Sequence, residues 1–308
     1  MKTAFNTLLE FTEAIPDEDA AIAHFEAIRW KQGEYCFRCG HDHIYRYTSK
    51  RLYKCAQCAE RFSIRAGTIF EDSRLPLRTW MLAIWFISSH KKGIASTQLA
   101  KDLGVTQKTA WFMMHRLRHA ASTRAFNRQL EGMVEADETF VGGKAKNLHK
   151  DKRGKSGKTG GAGKPIVAGA IERKGRIIAK VVPNVRADTL TEFVRGAVSQ
   201  RADILVTDKY VGYKHIGKAF PYVPHIAIDH AAGEYVRGLF HTNSIESYWS
   251  QLKRQIFGIH HWVSGKHLGR YVDESAWRFN RRAIDEAPRF DEFLACTDGR
   301  LTYAELIA

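Results

Sequence analysis

The sequence predicts an α/β core, a mixed sheet flanked by helices, preceded by a small metal ribbon and a helix-turn-helix. Three observations predict it. Two C-x2-C pairs lie close together at residues 36–39 and 55–58. A glycine-centred turn at residue 104 joins two helical stretches. From residue 133 onward, apolar runs of strand length alternate with helical periodicity. One of these runs, Ile204-Leu205-Val206-Thr207-Asp208, is apolar throughout and ends in a carboxylate. Such runs are central strands, covered on both faces. A chain of 308 residues has room for about two domains.

Charge narrows the class of partner. Lys and Arg number 48 against 33 Asp and Glu, a net charge of +15. Such a surplus attracts polyanions, of which nucleic acid is the commonest soluble one; a solvated basic surface is the other reading. Glu10, Glu13 and Asp17 interrupt the apolar start, so no signal-peptide core is read there. The longest uncharged stretch, 79–90, is too short to span a bilayer. The expected location is cytoplasmic, with no membrane partner.

In chain order, residues 1–30 read as a helical lead-in and 31–65 as the ribbon. Cys36, Cys39, Cys55 and Cys58 form two knuckles separated by fifteen residues, and Cys296 stands apart. Without a secretion signal, paired cysteines point to metal rather than disulfides. Four thiolates complete a tetrahedron around zinc and leave no position for water, so the zinc is structural. Ile44-Tyr45-Arg46-Tyr47 and Leu52-Tyr53-Lys54 read as short strands joined by a turn at Ser49-Lys50. Arg38, Arg46, Lys50, Arg51, Lys54 and Arg61 make the ribbon basic, ready to touch DNA phosphate or simply solvated.

Residues 66–124 form the expected DNA-binding region. An apolar, Trp-containing helix over 79–89 comes first. Leu99, Ala100, Leu103 and Val105 then fit the inner side of a helix-turn-helix, with Gly104 in the turn and Thr106 capping the second helix. That helix is expected to expose Gln107, Lys108, Thr109 and His115 to base edges, with Arg116, Arg118 and His119 near phosphates. A helical hairpin of the core would give the same pattern. Residues 142–164 are a basic, Gly-rich loop: seven Lys and Arg153 against Asp151 between 144 and 164. Lys150, Lys152, Arg153, Lys155 and Lys158 are expected on the DNA backbone, a contact blind to sequence; a surface insertion is the alternative.

Residues 130–285 form the core domain, and 286–308 a C-terminal tail. A strand over 133–141, a hairpin of 166–171 with 176–182, a helix from about 188 toward 200 and the strand 204–208 lead to two long helices. On the first of these, Ile245, Tyr248, Trp249, Leu252 and Ile256 share one side at 100° per residue; Asn243, Glu246, Ser250 and Lys253 share the other. Trp249 and Trp277 read as core. Glu274, Arg278 and Arg281 share a face of the second helix. Asp208 falls at the carboxyl end of a strand, where sites in open α/β sheets gather. Metal-assisted phosphodiester chemistry needs only a few carboxylates to hold magnesium, because water and phosphate oxygens supply the other ligands. Asp137, Asp208 and Glu246 are the candidates, with gaps of 71 and 38 residues.

Val134-Glu135-Ala136-Asp137-Glu138-Thr139-Phe140-Val141-Gly142-Gly143 and Thr207-Asp208 resemble the first two blocks of insertion-sequence transposases of the DDE class. His241-Thr242-Asn243-Ser244-Ile245-Glu246-Ser247-Tyr248-Trp249 through Leu252-Lys253-Arg254 resembles the third, and Lys253 follows Glu246 by two helical turns. The ribbon and the Glu274, Arg278, Arg281 face resemble the ISXO2-like branch. The resemblance covers nearly the whole chain. It implies an RNase H-like core and magnesium or manganese at Asp137, Asp208 and Glu246. It further implies cleavage and strand transfer at transposon ends, an oligomer on DNA and a bacterial origin. Part of that branch carries Asn for the third acid, so Asn243 is the alternative to Glu246; Glu246 is preferred because a carboxylate supplies charge. The rival function is a sequence-specific DNA-binding regulator whose nuclease core is silent.

Overall fold

The computed structural model describes residues 5–122, 128–143 and 163–307. The chain divides into two compact units, residues 1–123 with 283–308, and residues 124–282.

In the first unit, α1 (Leu8–Ala14) begins at a reciprocal cap between Thr7 and Glu10, and α2 (Glu18–Arg29) begins at Asp17. These side chains satisfy the backbone N–H groups that a helix start leaves bare. The ribbon follows as an antiparallel sheet of β1 (Ile44–Tyr47), β2 (Leu52–Cys55) and β3 (Arg61–Phe62). A single 3-10 turn, Thr48–Lys50, joins the first two strands. Next come α3 (Leu77–Ser89), α4 (Ser96–Leu103) and α5 (Gln107–Ser122), which pack on one another. Gly104 ends α4 in the left-handed region, at φ 65°, where glycine carries no Cβ penalty. Thr106 accepts from the Thr109 N–H at 3.2 Å and so caps α5. Pro76 offers α3 no side-chain cap. The Glu18 carboxylate supplies one from α2, accepting from the Leu77 and Arg78 N–H groups at 2.8 and 2.9 Å.

The C-terminal tail is helical over much of its described length. It carries α10 (Glu286–Leu294) and α11 (Tyr303–Ile307), and Phe290, Phe293 and Leu294 are buried. Their spacing lines one helical face, which packs on α2 and α3. The Phe290 ring meets Phe5 and Phe11 at 5.5 and 5.3 Å.

The second unit is built on a five-stranded mixed sheet. Its strands are β4 (Met133–Phe140), β5 (Ile166–Glu172), β6 (Ile177–Val182), β7 (Ile204–Asp208) and β8 (His225–Ile228). They lie in the order β6-β5-β4-β7-β8. Strands β4, β7 and β8 run parallel, while β5 is antiparallel to both β4 and β6. Helices α6 (Ala187–Ala197) and α7 (Ile216–Ala219) join β6 to β7 and β7 to β8. The sheet ends in α8 (Asn243–Gly258) and α9 (Gly265–Asn280). Side chains alternate across the sheet, so it carries two cores. Val134, Ala136, Ala170 and Leu205 pack with Leu190 and Val194 of α6; Val167, Ile171 and Ala179 pack with Ile245, Trp249, Leu252 and Val272 of α8 and α9.

Candidate functional site

The four ribbon thiols converge. Their sulfurs all lie within 4.8 Å of one another, with Cys36 to Cys58 at 3.7 Å and Cys39 to Cys55 at 3.6 Å. Disulfide sulfurs sit about 2.05 Å apart. Zn–S bonds of about 2.3 Å in a tetrahedron place sulfurs roughly 3.8 Å apart. The donor set therefore fits a structural zinc. Tight turns hold it, with the Gly40 N–H on the Cys36 carbonyl at 2.8 Å and the Cys58 N–H on the Cys55 sulfur at 3.5 Å.

In the second unit, β4 and β7 run side by side with Ala136 opposite Thr207. One step further along both strands come Asp137 and Asp208, on the face that α8 covers. Asp137 accepts from the Trp249 indole N–H at 2.9 Å. Burial pushes the Asp137 carboxyl up to about 7, helped by the neighbouring Glu138 and Asp208 charges and opposed by the indole bond. Asp208 is likewise raised by burial, although the Tyr210 N–H bonds its Oδ1 at 2.9 Å. Glu138 turns to the opposite face and accepts from the buried Tyr213 hydroxyl at 2.8 Å; burial raises its pKa too. Glu246, in the first turn of α8, is exposed and accepts from the Thr242 hydroxyl at 3.0 Å. His230 bonds that hydroxyl at 3.1 Å and lies 3.9 Å from Glu246.

Asp137 and Asp208 are thus brought together, and Glu246 stands at the edge. Among the described residues only the four cysteines bring three or more metal-ligating atoms within 4.8 Å of one another. Asp137 and Asp208 offer oxygen donors only, and burial raises the pKa of both. Oxygen donors of this kind are the ligands that hard divalent cations take. Asn243 is exposed on the same helical turn, and Lys253 lies about two turns further on α8.

The sequence did not single out the group that docks α8. Glu135, two residues before Asp137 and wholly buried, accepts from the Ser244 and Ile245 N–H groups at 2.8 and 3.2 Å. The Ser244 hydroxyl reaches it at 2.9 Å, and Arg173 reaches it with Nε at 3.1 Å and Nη2 at 3.0 Å. The alternation of β4 was its signal: Glu135 shares the face of Asp137, where a lone charge needs partners. Trp249 is core as expected, but its indole N–H also serves Asp137, as a buried indole N–H needs an acceptor.

Residues 129–280 match the profile of the ISXO2-like transposase domain, and residues 16–61 match the transposase zinc-ribbon domain. The chain belongs to the ISXO2-like transposases. It is similar to a protein of the transposable element ISH50 of Halobacterium salinarum, 29% identical over 255 residues, 80% of this chain and 85% of that protein.

The remaining site residues of this transposase divide into exposed and buried sets. Gln107 and Lys108 are exposed in the first turn of α5 and Thr109 is half-buried; the Gln107 amide donates to Ser96 Oγ at 3.0 Å. His115 corrects the expectation, because it is fully buried with its ring 4.2 Å from that of Trp111. Arg116 and Arg118 are buried as well, 6% and 1% exposed. Arg116 donates to the Leu301, Ile69 and Glu71 carbonyls at 2.8–3.1 Å, so its charge serves the fold. In the ribbon, Arg38, Arg46 and Arg51 are paired with Glu60, with Glu26 and Glu34, and with Asp19. Glu274 and Arg278 form a buried ion pair, and Arg281 lies over the Trp277 ring at 4.8 Å. Lys150, Lys152, Arg153, Lys155 and Lys158 lie outside the described residues. No helix among the described residues is long and apolar enough to cross a membrane.

Proposed function

We propose that this transposase binds the ends of its element and cleaves and joins DNA strands with magnesium or manganese held by Asp137, Asp208 and Glu246. The observation that carries the reading is the placement of Asp137 and Asp208. They follow paired positions on parallel neighbours β4 and β7, and Glu246 lies in the first turn of α8, the helix packed on that sheet. The mixed order of the sheet, with β5 antiparallel beside β4, supports an RNase H-like core. Bound divalent metal activates a water or 3′-hydroxyl and offsets charge on the phosphate. The chain's own residues supply the rest. Asp137 and Asp208 provide fixed oxygens, Trp249 orients Asp137, and Lys253 provides positive charge for the terminal phosphates.

DNA recognition falls to the first unit. The α4–Gly104–α5 arrangement supports a helix-turn-helix with Gln107, Lys108 and Thr109 toward the bases. In the ribbon, Lys50, Lys54 and Arg61 are the cations toward phosphate. Pairing two ends requires at least two copies of the chain on DNA.

The test is a cleavage and strand-transfer assay on DNA carrying the element's own ends. Asp137→Asn, Asp208→Asn and Glu246→Gln should each abolish both steps and leave end binding intact. Full activity in Asp208→Asn would overturn the mechanism. Full activity in Glu246→Gln, with activity kept or raised in Asn243→Asp, would move the third ligand to Asn243. End binding by the wild type without cleavage in either metal would leave a DNA-binding regulator.

A further inference from the structure

Glu135 has no part in the chemistry above, yet it is among the most heavily hydrogen-bonded carboxylates in its unit. It is 0% exposed and accepts from Ser244 N and Oγ, Ile245 N, and Arg173 Nε and Nη2. Taking such a charge out of water is costly unless partners replace the lost hydration. Here the partners are a guanidinium and the first turn of a helix, where the backbone dipoles favour an anion. Glu135 and Asp137 point from the same face of β4, and α8 is tied to both. Its first turn bonds Glu135, and Trp249 bonds Asp137 at 2.9 Å. Between those ties the helix carries Glu246, and Asn243 directly precedes the first of them. Arg173 also donates to the Leu239 and His241 carbonyls at 2.5 and 3.3 Å, which fixes the connection entering α8. His241 Nδ1 accepts from the Asn243 N–H and from Arg173, both at 3.3 Å. His241 Nδ1 also lies 3.5 Å from Glu135 Oε1.

We infer that Glu135 is the positioning residue of the acid site: it fixes the first turn of α8, and through it the Glu246 carboxylate, against the strand that bears Asp137. The inference rests on the reading of Asp137, Asp208 and Glu246 as metal ligands. A purely structural ion pair would hold the helix without influencing metal affinity in the folded protein.

Calorimetric titration of Mn2+ into the full chain, its ribbon loaded with zinc, separates the two. Glu135→Gln keeps the shape and one acceptor oxygen but loses the charge. It should raise the Mn2+ dissociation constant about tenfold or more, the usual cost of removing a partner that orients a ligand. Introduced into Glu246→Gln, the same substitution should change the constant no further, because its effect travels through Glu246. Ser244→Ala, which removes only one donor, should give a smaller rise with the same dependence on Glu246. It decides the matter if Glu135→Gln does not fold. An equal rise with and without Glu246, or a lower Tm with unchanged Mn2+ affinity, would overturn the positioning role. Wild-type Mn2+ affinity in Asp137→Asn is a separate outcome, in which the metal-ligand reading itself fails.

Discussion

Gly169 lies directly opposite Asp137 in the β4–β5 ladder, and the Trp249 indole occupies the space a side chain at Gly169 would need. A Cβ placed there would stand 2.5 Å from Trp249 Cη2 and 2.8 Å from Cζ2. The absence of a side chain at Gly169 therefore makes room for the indole that bonds Asp137.

Gly169→Ala should displace that ring. Overpacking a filled core costs about 1–3 kcal/mol, so a fall in Tm of several degrees is expected, with loss of strand transfer as the indole leaves Asp137. Trp249→Phe removes the outer ring and should restore much of the stability of Gly169→Ala. It should not restore activity at neutral pH, since no N–H then faces the carboxylate. Thermal melts and strand-transfer rates of the two singles and the double check this. Independent, additive effects on Tm would show that the two residues do not compete for the space.

Asp137 also sets a pH dependence. Its folded-state pKa is raised to about 7 by burial and by the Glu138 and Asp208 charges, against roughly 3.9 in an unfolded chain. The folded state thus binds its proton more tightly. Stability is full below the unfolded value, falls as pH climbs from about 4 to 7, and is flat above that. At about 1.4 kcal/mol per pKa unit the penalty is a few kcal/mol at most. Asp137→Asn should therefore melt higher than wild type at pH 8 in metal-free buffer, with the difference closing toward pH 4.5. Adding Mn2+ should raise the wild-type Tm at pH 8 and barely move the variant. A difference that does not vary with pH would rule out this assignment.

Much of the fold could be read from the chain alone, where the signal is local. The buried face of α8 is Ile245, Tyr248, Trp249, Leu252 and Ile256, as 100° periodicity requires. The knuckles of the ribbon and the Gly104 turn were equally plain. What escaped depends on distant partners. Glu135 meets Ser244 across 109 residues, and nothing near Glu135 in sequence announces that contact. Strand β8 is four residues long and follows Pro224, too little for an alternation to show. His115, Arg116 and Arg118 looked like a DNA-facing stripe, because a polar or charged residue on a helix reads as solvent-facing. Only the fold reveals the carbonyls of Ile69, Glu71 and Leu301 waiting for Arg116.

That correction has a measurable consequence. Arg116→Met leaves three carbonyls without their donor, at about 1–3 kcal/mol for each that water cannot reach. The first unit should lose several kcal/mol of stability, seen in urea melts. The salt dependence of DNA binding by the protein that remains folded should not change. Lys108→Ala should behave in the opposite way, with Tm nearly unaltered and the slope of log affinity against log salt smaller by about 0.9 if one phosphate contact is lost. A reduced slope in Arg116→Met would return that residue to the DNA surface.

The ribbon offers the most direct test of the division into two units. Its three strands are short, with two residues in β3, and few apolar side chains lie between them. Below about 40 residues a module generally needs metal or disulfides to fold, and its cysteines form no disulfide. Structural zinc contributes roughly 10–16 kcal/mol in comparable modules. Cys36→Ser, or stripping by a strong chelator, should therefore unfold the ribbon and release one zinc per chain. The second unit has its own two-sided core on a five-stranded sheet, and it should stay folded. Limited proteolysis should then cut within residues 30–62 and spare residues 128–143 and 163–282. End binding should weaken, while Mn2+ affinity at the acids stays as it was. Full zinc retention in Cys36→Ser would show that the four thiols do not act as one site.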